Sequence, residues 1–262
     1  MRLFYRKIGE GPPIIILHGL FGSSENWLTI AKKISTRFTV YLPDQRNHGL
    51  SPHDEIHNYE SMSDDLFELI TELNLKKFFL AGHSMGGKTA MKFAMKWPEM
   101  IQGLIIADIS PFGDRTNGSQ DYNEHYEILR SITETDISKA ASRTDIDKLF
   151  AERIPSVKVR DLILKNLQRD ENKMFVWKLN AWVLLKNLDR IMEGLPFAQQ
   201  ITGFPVVFLK GEYSGYILKE DYNSIIKLFP AAEIRVIKNA GHWLHADNPE
   251  AVAEAFLDML DH

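Results

Sequence analysis

The sequence predicts an α/β fold, with a mostly parallel central sheet flanked by helices and a helical segment inserted between two of its strands. Three observations carry that reading. Short continuous aliphatic runs, Ile14-Ile15-Ile16-Leu17 and Leu104-Ile105-Ile106-Ala107 among them, alternate with amphipathic stretches, the pattern of strands buried on both faces. A glycine-flanked serine in Gly82-His83-Ser84-Met85-Gly86 lies between an apolar run and a helix-compatible one. Between Phe112 and Gln200 the strand rhythm stops, and helix formers and charges dominate before sheet character resumes.

In chain order, Leu3-Phe4-Tyr5 reads as a short edge strand and Gly9-Glu10-Gly11-Pro12 as the turn that follows it. Ile14 to Leu17 and Phe38 to Leu42 are buried strands. Trp27 to Arg37 between them is helical, with Ile30, Ala31 and Ile34 on one face. Tyr59 to Leu73 forms the next helix, since Met62, Leu66, Leu69 and Leu73 share a side. Strands Phe78 to Ala81 and Leu104 to Ala107 follow, separated by a helix after Ser84. The middle segment holds helices at Tyr122 to Thr133, Asp145 to Arg153, Val159 to Gln168 and Trp182 to Met192, and no buried strand. Strands return at Pro205 to Leu209 and Glu233 to Ile237. A last helix, Pro249 to Leu260, opens with proline near its first turn. This division makes residues 1–111 and 203–262 the core domain and 112–202 a cap. The cap is expected over the C-terminal ends of the strands, where ligands bind in such sheets.

Composition excludes several functions. With 31 Lys and Arg against 35 Asp and Glu, the net charge of -4 is mild, and no basic stripe marks a nucleic-acid partner. No apolar run is long enough to span a bilayer, and no signal-peptide segment precedes the first strand. Cysteine is absent, which removes disulfides, thiol nucleophiles and thiolate metal sites and fits a cytoplasmic location. The nine histidines show no metal-ligand spacing. No metal and no organic cofactor is expected.

The chemistry centres on Ser84. A strand, a tight turn carrying serine, and a helix make a nucleophile elbow, with Gly82, Gly86 and Gly87 clearing space for a strained backbone. A serine hydroxyl needs a base to become a nucleophile. Asn239-Ala240-Gly241-His242-Trp243 follows the last strand and supplies His242; His245 lies at the start of the closing helical segment and caps or packs, and His83 is structural. The acid has several candidates. After Phe208-Leu209-Lys210-Gly211, the loop position that would hold an aspartate carries Ser214, which can hydrogen-bond but not hold negative charge. Glu212 lies close to the strand end and Asp221 farther on. Asp108, at the end of the neighbouring strand, is the favoured acid, with Ser214 as an auxiliary hydrogen-bonding group and a turn or capping role as the alternative for Asp108. The oxyanion hole needs backbone N–H groups. Met85 should provide one and Leu20, in the loop His18-Gly19-Leu20-Phe21-Gly22, the other, with Phe21 as the alternative donor; His18 holds that loop.

The stretches His18 to Ser23, Asp44 to Pro52, Gly82 to Lys88, Asp108 to Pro111 and Gly241 to Trp243 resemble the α/β-hydrolase superfamily. Within it they are similar to the YbfF-type esterases, a group that includes acyl-ester and acyl-CoA thioester hydrolases. The likeness covers the sheet domain; the helical middle carries little of it. The resemblance implies Ser84 as nucleophile, His242 as base and Asp108 as acid, with Ser214 in the same network. It implies a small-molecule acyl ester or thioester as the partner.

The expected activity is hydrolysis of short to medium acyl esters through an acyl-enzyme. Phe175, Val176, Trp177, Trp182 and the run Val183-Leu184-Leu185 are candidates for the acyl pocket, or for the cap's own core. The competing reading is a lyase or carbon–carbon bond hydrolase such as a menaquinone-pathway synthase, which would bring Arg115, Arg130 or Arg160 close to Ser84. A noncatalytic binding protein is the third. The oligomeric state is not legible in the sequence.

Overall fold

The computed structural model describes residues 1–113 and 119–261. In chain order, the first half contains β1 (Tyr5–Ile8), β2 (Pro13–Leu17), α1 (Leu28–Ile34), β3 (Thr39–Pro43), α2 (Tyr59–Glu72), β4 (Phe78–His83), α3 (Met85–Lys96) and β5 (Ile101–Ala107). The middle contains α4 (Gln120–Glu134), α5 (Arg143–Phe150), α6 (Val157–Leu164), β6 (Leu167–Arg169), β7 (Phe175–Trp177), α7 (Ala181–Lys186) and α8 (Leu188–Met192). The chain closes with β8 (Val206–Gly211), α9 (Tyr222–Leu228), β9 (Ala232–Ile237), α10 (Leu244–Asp247) and α11 (Pro249–Asp258).

Seven strands form one sheet in the order β1-β3-β2-β4-β5-β8-β9. Only β1 runs antiparallel to its neighbour; the remaining pairs are parallel. Alternating side chains explain the continuous aliphatic runs. Ile15 and Leu17 of β2 pack with Leu66, Leu69 and Phe93 from α2 and α3. Ile14 and Ile16 face the other way, into Ile30, Ile34, Val252 and Phe256 from α1 and α11. A strand covered on both sides has no polar face to show, so it reads as a run rather than an alternation. Caps mark the helix starts: the Asn58 side chain accepts from the Ser61 N–H at 2.8 Å at the head of α2, and Asn248 caps α11 ahead of Pro249.

The segment between β5 and β8 has its own apolar cluster, built on Leu129, Ile146, Phe150, Ile163, Leu184 and Leu188. Leu20, Phe21, Tyr59, Met62 and Met85 of the sheet layer join that cluster, which seats the insertion over the C-terminal ends of the strands.

Three features differ from the sequence expectation. The helical middle does contain strands: β6 and β7 pair antiparallel, Leu167 opposite Trp177 and Arg169 opposite Phe175. Three-residue strands with one buried position each leave no buried aliphatic run to read, and Gln168 belongs to a strand rather than to the preceding helix. The helix expected from Trp182 to Met192 breaks at Asn187, whose side-chain amide donates to the Val183 carbonyl at 2.8 Å. Such local side-chain bonding competes with helix continuation. The first strand also sits later than expected, at Tyr5–Ile8. Among the described residues no helix is long and apolar enough to cross a membrane.

Candidate active site

Ser84 joins β4 to α3 with φ 51° and ψ −120°, a region non-glycine residues rarely occupy. The glycines around it are there for clearance. A Cβ on Gly82 would lie 2.1 Å from the Gly86 carbonyl oxygen, and one on Gly86 would lie 2.5 Å from that of His18. The Ser84 N–H donates to the Ala107 carbonyl at 3.0 Å, which ties the turn to the end of β5.

The next residue on β5's exit is Asp108, also at positive φ (51°) and fully buried. Its N–H donates to the Leu209 carbonyl at 2.7 Å, so the strand end is locked against β8. The carboxylate collects three donors. Oδ1 accepts from the Gly211 N–H at 2.9 Å, while Oδ2 accepts from the Ser214 hydroxyl and from His242 Nδ1, the latter at 2.9 Å. Ser84, Asp108, Ser214 and His242 follow the ends of adjacent strands in the order β4, β5, β8, β9, so parallel topology gathers them at the C-terminal ends of the sheet. Three donors replace the water that burial removes from this carboxylate. With its Nδ1 proton committed to Asp108, a neutral His242 presents Nε2 as a base. Ser84 Oγ and His242 line one cavity. No hydrogen bond joins them among the described residues, and such bonds commonly tighten only when substrate is bound.

The competing acids do not reach His242. Glu212 accepts from the Asn239 N–H at 2.8 Å, and Asp221 accepts from the Leu218 N–H at 2.9 Å. Of the other histidines, His83 donates from Nε2 to the His242 carbonyl at 2.8 Å and so positions the loop rather than the ring. His245 stacks on Trp27 with centroids 4.6 Å apart, and burial pushes its pKa down to about 3.

The loop after β2 lies against this turn. His18 Nδ1 donates to the Gly19 carbonyl at 2.8 Å while Nε2 accepts from the Gln45 N–H at 2.9 Å, which defines the tautomer. Burial lowers the proton affinity of that ring and keeps it neutral. The backbone N–H groups of Leu20, Phe21 and Met85 donate to no acceptor among the described residues. Phe21, at φ 64°, gives its carbonyl to the Asn166 side chain of the insertion at 2.8 Å. The adjoining Asp44 to Pro52 loop is internally tied, with Arg46 paired to buried Asp65 at 2.5 Å and Asp44 accepting from the Ser24 and Leu50 N–H groups.

Two cavities meet at Ser84. One of about 180 Å³ is walled by Met85, Ile109, Phe112, Ile191 and Met192; the other, about 100 Å³, by Phe21, Ile128, His242 and Trp243. Leu20, Ser84, Asp121, His125 and Tyr216 line both. The apolar cap residues that are candidates for the acyl pocket or for the cap's own core do not reach Ser84's cavities. None of Phe175, Val176, Trp177, Trp182, Val183, Leu184 or Leu185 lines either cavity, Leu184 is in the insertion's own core, and Trp182 is 69% exposed. Nor do the arginines converge on Ser84. Arg130 pairs with Glu134 on the surface, and Arg160 binds Asp147 and the Ile154 and Pro155 carbonyls; Arg115 lies outside the described residues. Among the described residues no group of His, Asp or Glu is placed to hold a metal ion.

Sequence reasoning missed three residues here. Tyr216 stacks on the His242 ring with centroids 3.8 Å apart. Lys88, buried one turn into α3, donates to the carbonyls of Ile191, Met192 and Glu193 at 3.3, 3.1 and 2.6 Å. His125 reaches the site from α4. Each depends on a contact across long sequence separation, for which no local pattern exists.

Residues 12–249 match the family model described as alpha/beta hydrolase fold. The sn-1-specific diacylglycerol lipase ABHD11 of Xenopus laevis is 35% identical over 254 residues, covering 96% of this chain and 80% of that protein. Esterase YbfF of Escherichia coli (strain K12) is 32% identical over 253 residues, covering 95% and 93%. A solved structure, a marine microorganism esterase, is 42% identical with a TM-score of 0.95 and covers 98% of this chain and 99% of its own.

Proposed function

The chain belongs to the alpha/beta hydrolase fold family, and from that premise we propose that it is a serine esterase acting on carboxylic esters of short to medium acyl chains. The observation that carries the reading is the shared carboxylate: Asp108 Oδ2 holds His242 Nδ1 at 2.9 Å beside a serine at strained φ. In this mechanism His242 Nε2 takes the Ser84 proton as Oγ attacks the substrate carbonyl carbon. Asp108 holds the ring's tautomer and stabilises its positive form, while Ser214 supports the carboxylate. The N–H groups of Met85 and Leu20 receive the oxyanion; Leu20 is chosen over Phe21 because it lines both cavities. His242 then protonates the leaving oxygen, an acyl-enzyme forms on Ser84, and water activated by the same base releases the acid. No metal or cofactor takes part.

The acyl chain occupies the larger, apolar cavity under the cap, residues 112–202. The leaving alcohol occupies the smaller one, because His242 lines it and must reach the departing oxygen. The same chemistry extends to thioesters, acyl-CoA included, since a thiolate leaves more readily than an alkoxide. The test is a set of initial rates on acyl esters and acyl-CoA thioesters of graded chain length, with Ser84→Ala in parallel. A length optimum that vanishes in Ser84→Ala supports the reading and measures the pocket. Absence of Ser84-dependent turnover, with no labelling of Ser84 by a fluorophosphonate probe, overturns it. The lyase reading draws no support from Arg130 or Arg160, whose partners lie away from both cavities.

A further inference from the structure

The turn that offers the Leu20 N–H is built under strain. Gly19 to Gly22 close on a bond from the Gly22 N–H to the Gly19 carbonyl at 3.0 Å. The third residue of that turn is Phe21 at φ 64°, where glycine or asparagine is the usual choice. A strained residue keeps its place only where its surroundings over-determine it. At the front of the turn the Gly19 carbonyl also accepts from His18 Nδ1 at 2.8 Å, and the Leu20 N–H of the same trans peptide is aimed the opposite way. The turn lies hard against the nucleophile, because a Cβ on Gly19 would come 3.2 Å from the Ser84 Cβ.

The back of the turn is held from the cap. Asn166, buried between α6 and β6, donates from Nδ2 to the Phe21 carbonyl at 2.8 Å, across 145 positions of sequence. No second donor reaches that carbonyl among the described residues. The same nitrogen lies 3.3 Å from the Ile163 carbonyl, so it meets only acceptors and is the donor end of the amide. Asn166 is itself fixed, its N–H donating to the Ile163 carbonyl at 2.9 Å and its carbonyl accepting from the Lys178 N–H at 2.8 Å.

Resting on the esterase reading, we propose that Asn166 is a positioning residue for the oxyanion hole, through which the seated cap keeps the Leu20 N–H on its target. Without that bond a buried carbonyl loses its donor and the strained turn relaxes. Donors that must lie within about 3.1 Å of the oxyanion then drift out of range. Substrate binding is spared, because Asn166 lines neither cavity at Ser84.

The test measures kcat and KM on propyl butanoate for the wild type, Asn166→Leu, Asn166→Ala and Asn166→Gln, per Ser84 site titrated with a fluorophosphonate. Leucine keeps the volume, alanine relieves crowding, and glutamine keeps an amide donor on a longer stem. In Asn166→Leu and Asn166→Ala kcat should fall by about tenfold or more while KM stays within about threefold, with a smaller loss in Asn166→Gln. A second readout is a trifluoromethyl pentyl ketone, whose carbonyl carbon bonds Ser84 Oγ while its oxygen takes the electron pair and His242 the proton. Its affinity should fall by the same factor as kcat/KM, and that of methyl pentyl ketone, a ground-state mimic, should not. An unchanged kcat, or a loss carried by KM, overturns the proposal. So does a trifluoromethyl ketone bound as tightly by Asn166→Leu as by the wild type. If the wild type itself shows no Ser84-dependent turnover, the esterase reading fails, which is a different outcome from turnover indifferent to Asn166.

Discussion

Asp108 has two oxygens and three donors, and those donors differ in what they do. Gly211 and Ser214 neutralise a buried charge; His242 uses it. Asparagine at 108 tolerates the same positive φ and volume but cannot stabilise an imidazolium, and it favours the wrong tautomer. Asp108→Asn should therefore keep the fold and lose turnover by about a thousandfold or more. Ser214→Ala removes one hydrogen bond to a charged group, a loss of about tenfold to a hundredfold. Steady-state kinetics with thermal melts on both variants checks the order; an equal or larger loss in Ser214→Ala would assign the main burden to the serine. At this scale the sequence placed Ser84, Asp108 and His242 at strand ends. It could not show that Asp108 and His242 meet, because 134 residues separate them and only the strand order closes that distance.

Between elements, the contact that shapes the larger cavity is the one from α3 to the end of α8. Three carbonyls at a helix C-terminus carry partial negative charge, and the Lys88 ammonium meets all three while lying over the Tyr59 ring at 5.7 Å. The Tyr59 hydroxyl adds a bond to the Ile191 carbonyl at 2.6 Å. Lys88→Met keeps the stem's volume and removes the charge, leaving the Met192 and Glu193 carbonyls short of a donor. It should destabilise the chain by about 2–4 kcal/mol and broaden the acyl-length preference, because Ile191 and Met192 are cavity walls. Urea unfolding and the graded ester series measure both; a change within about 0.5 kcal/mol would show that the pin is decorative. Element legibility followed burial. Strands covered on both faces were readable as aliphatic runs, whereas β6 and β7, short and half-covered, had no pattern that separates them from loop.

For the molecule as a whole, buried neutral histidines couple stability to acid. Burial pushes His57 and His245 down to about 3, and lowers His18, His48 and His83 as well. Each binds its proton more weakly folded than unfolded, so the unfolded chain takes up more protons as pH falls below the ordinary imidazole range. Stability is full above about pH 6.5 and falls towards the lowered values, at a cost by pH 5 of about 2 kcal/mol for each ring that stays neutral. Urea midpoints should be flat from pH 8 to 7 and drop steeply from 6.5 to 5. A midpoint unchanged across that lower range would mean these rings are not held neutral.

The sequence by itself determined the parallel sheet, its helical layers, the insertion and the elbow serine, since each is written in local periodicity or in a glycine-framed turn. Tertiary structure alone decided which cap residues reach the site and that Tyr216 stacks on His242. It also decided that Lys88 pins α8 and that His125 lines the same two cavities as Ser84. The physical reason is range. Backbone preference and burial pattern act within a turn or a strand, while a pocket wall is made by side chains far apart in the chain that meet only after the sheet has ordered its strands.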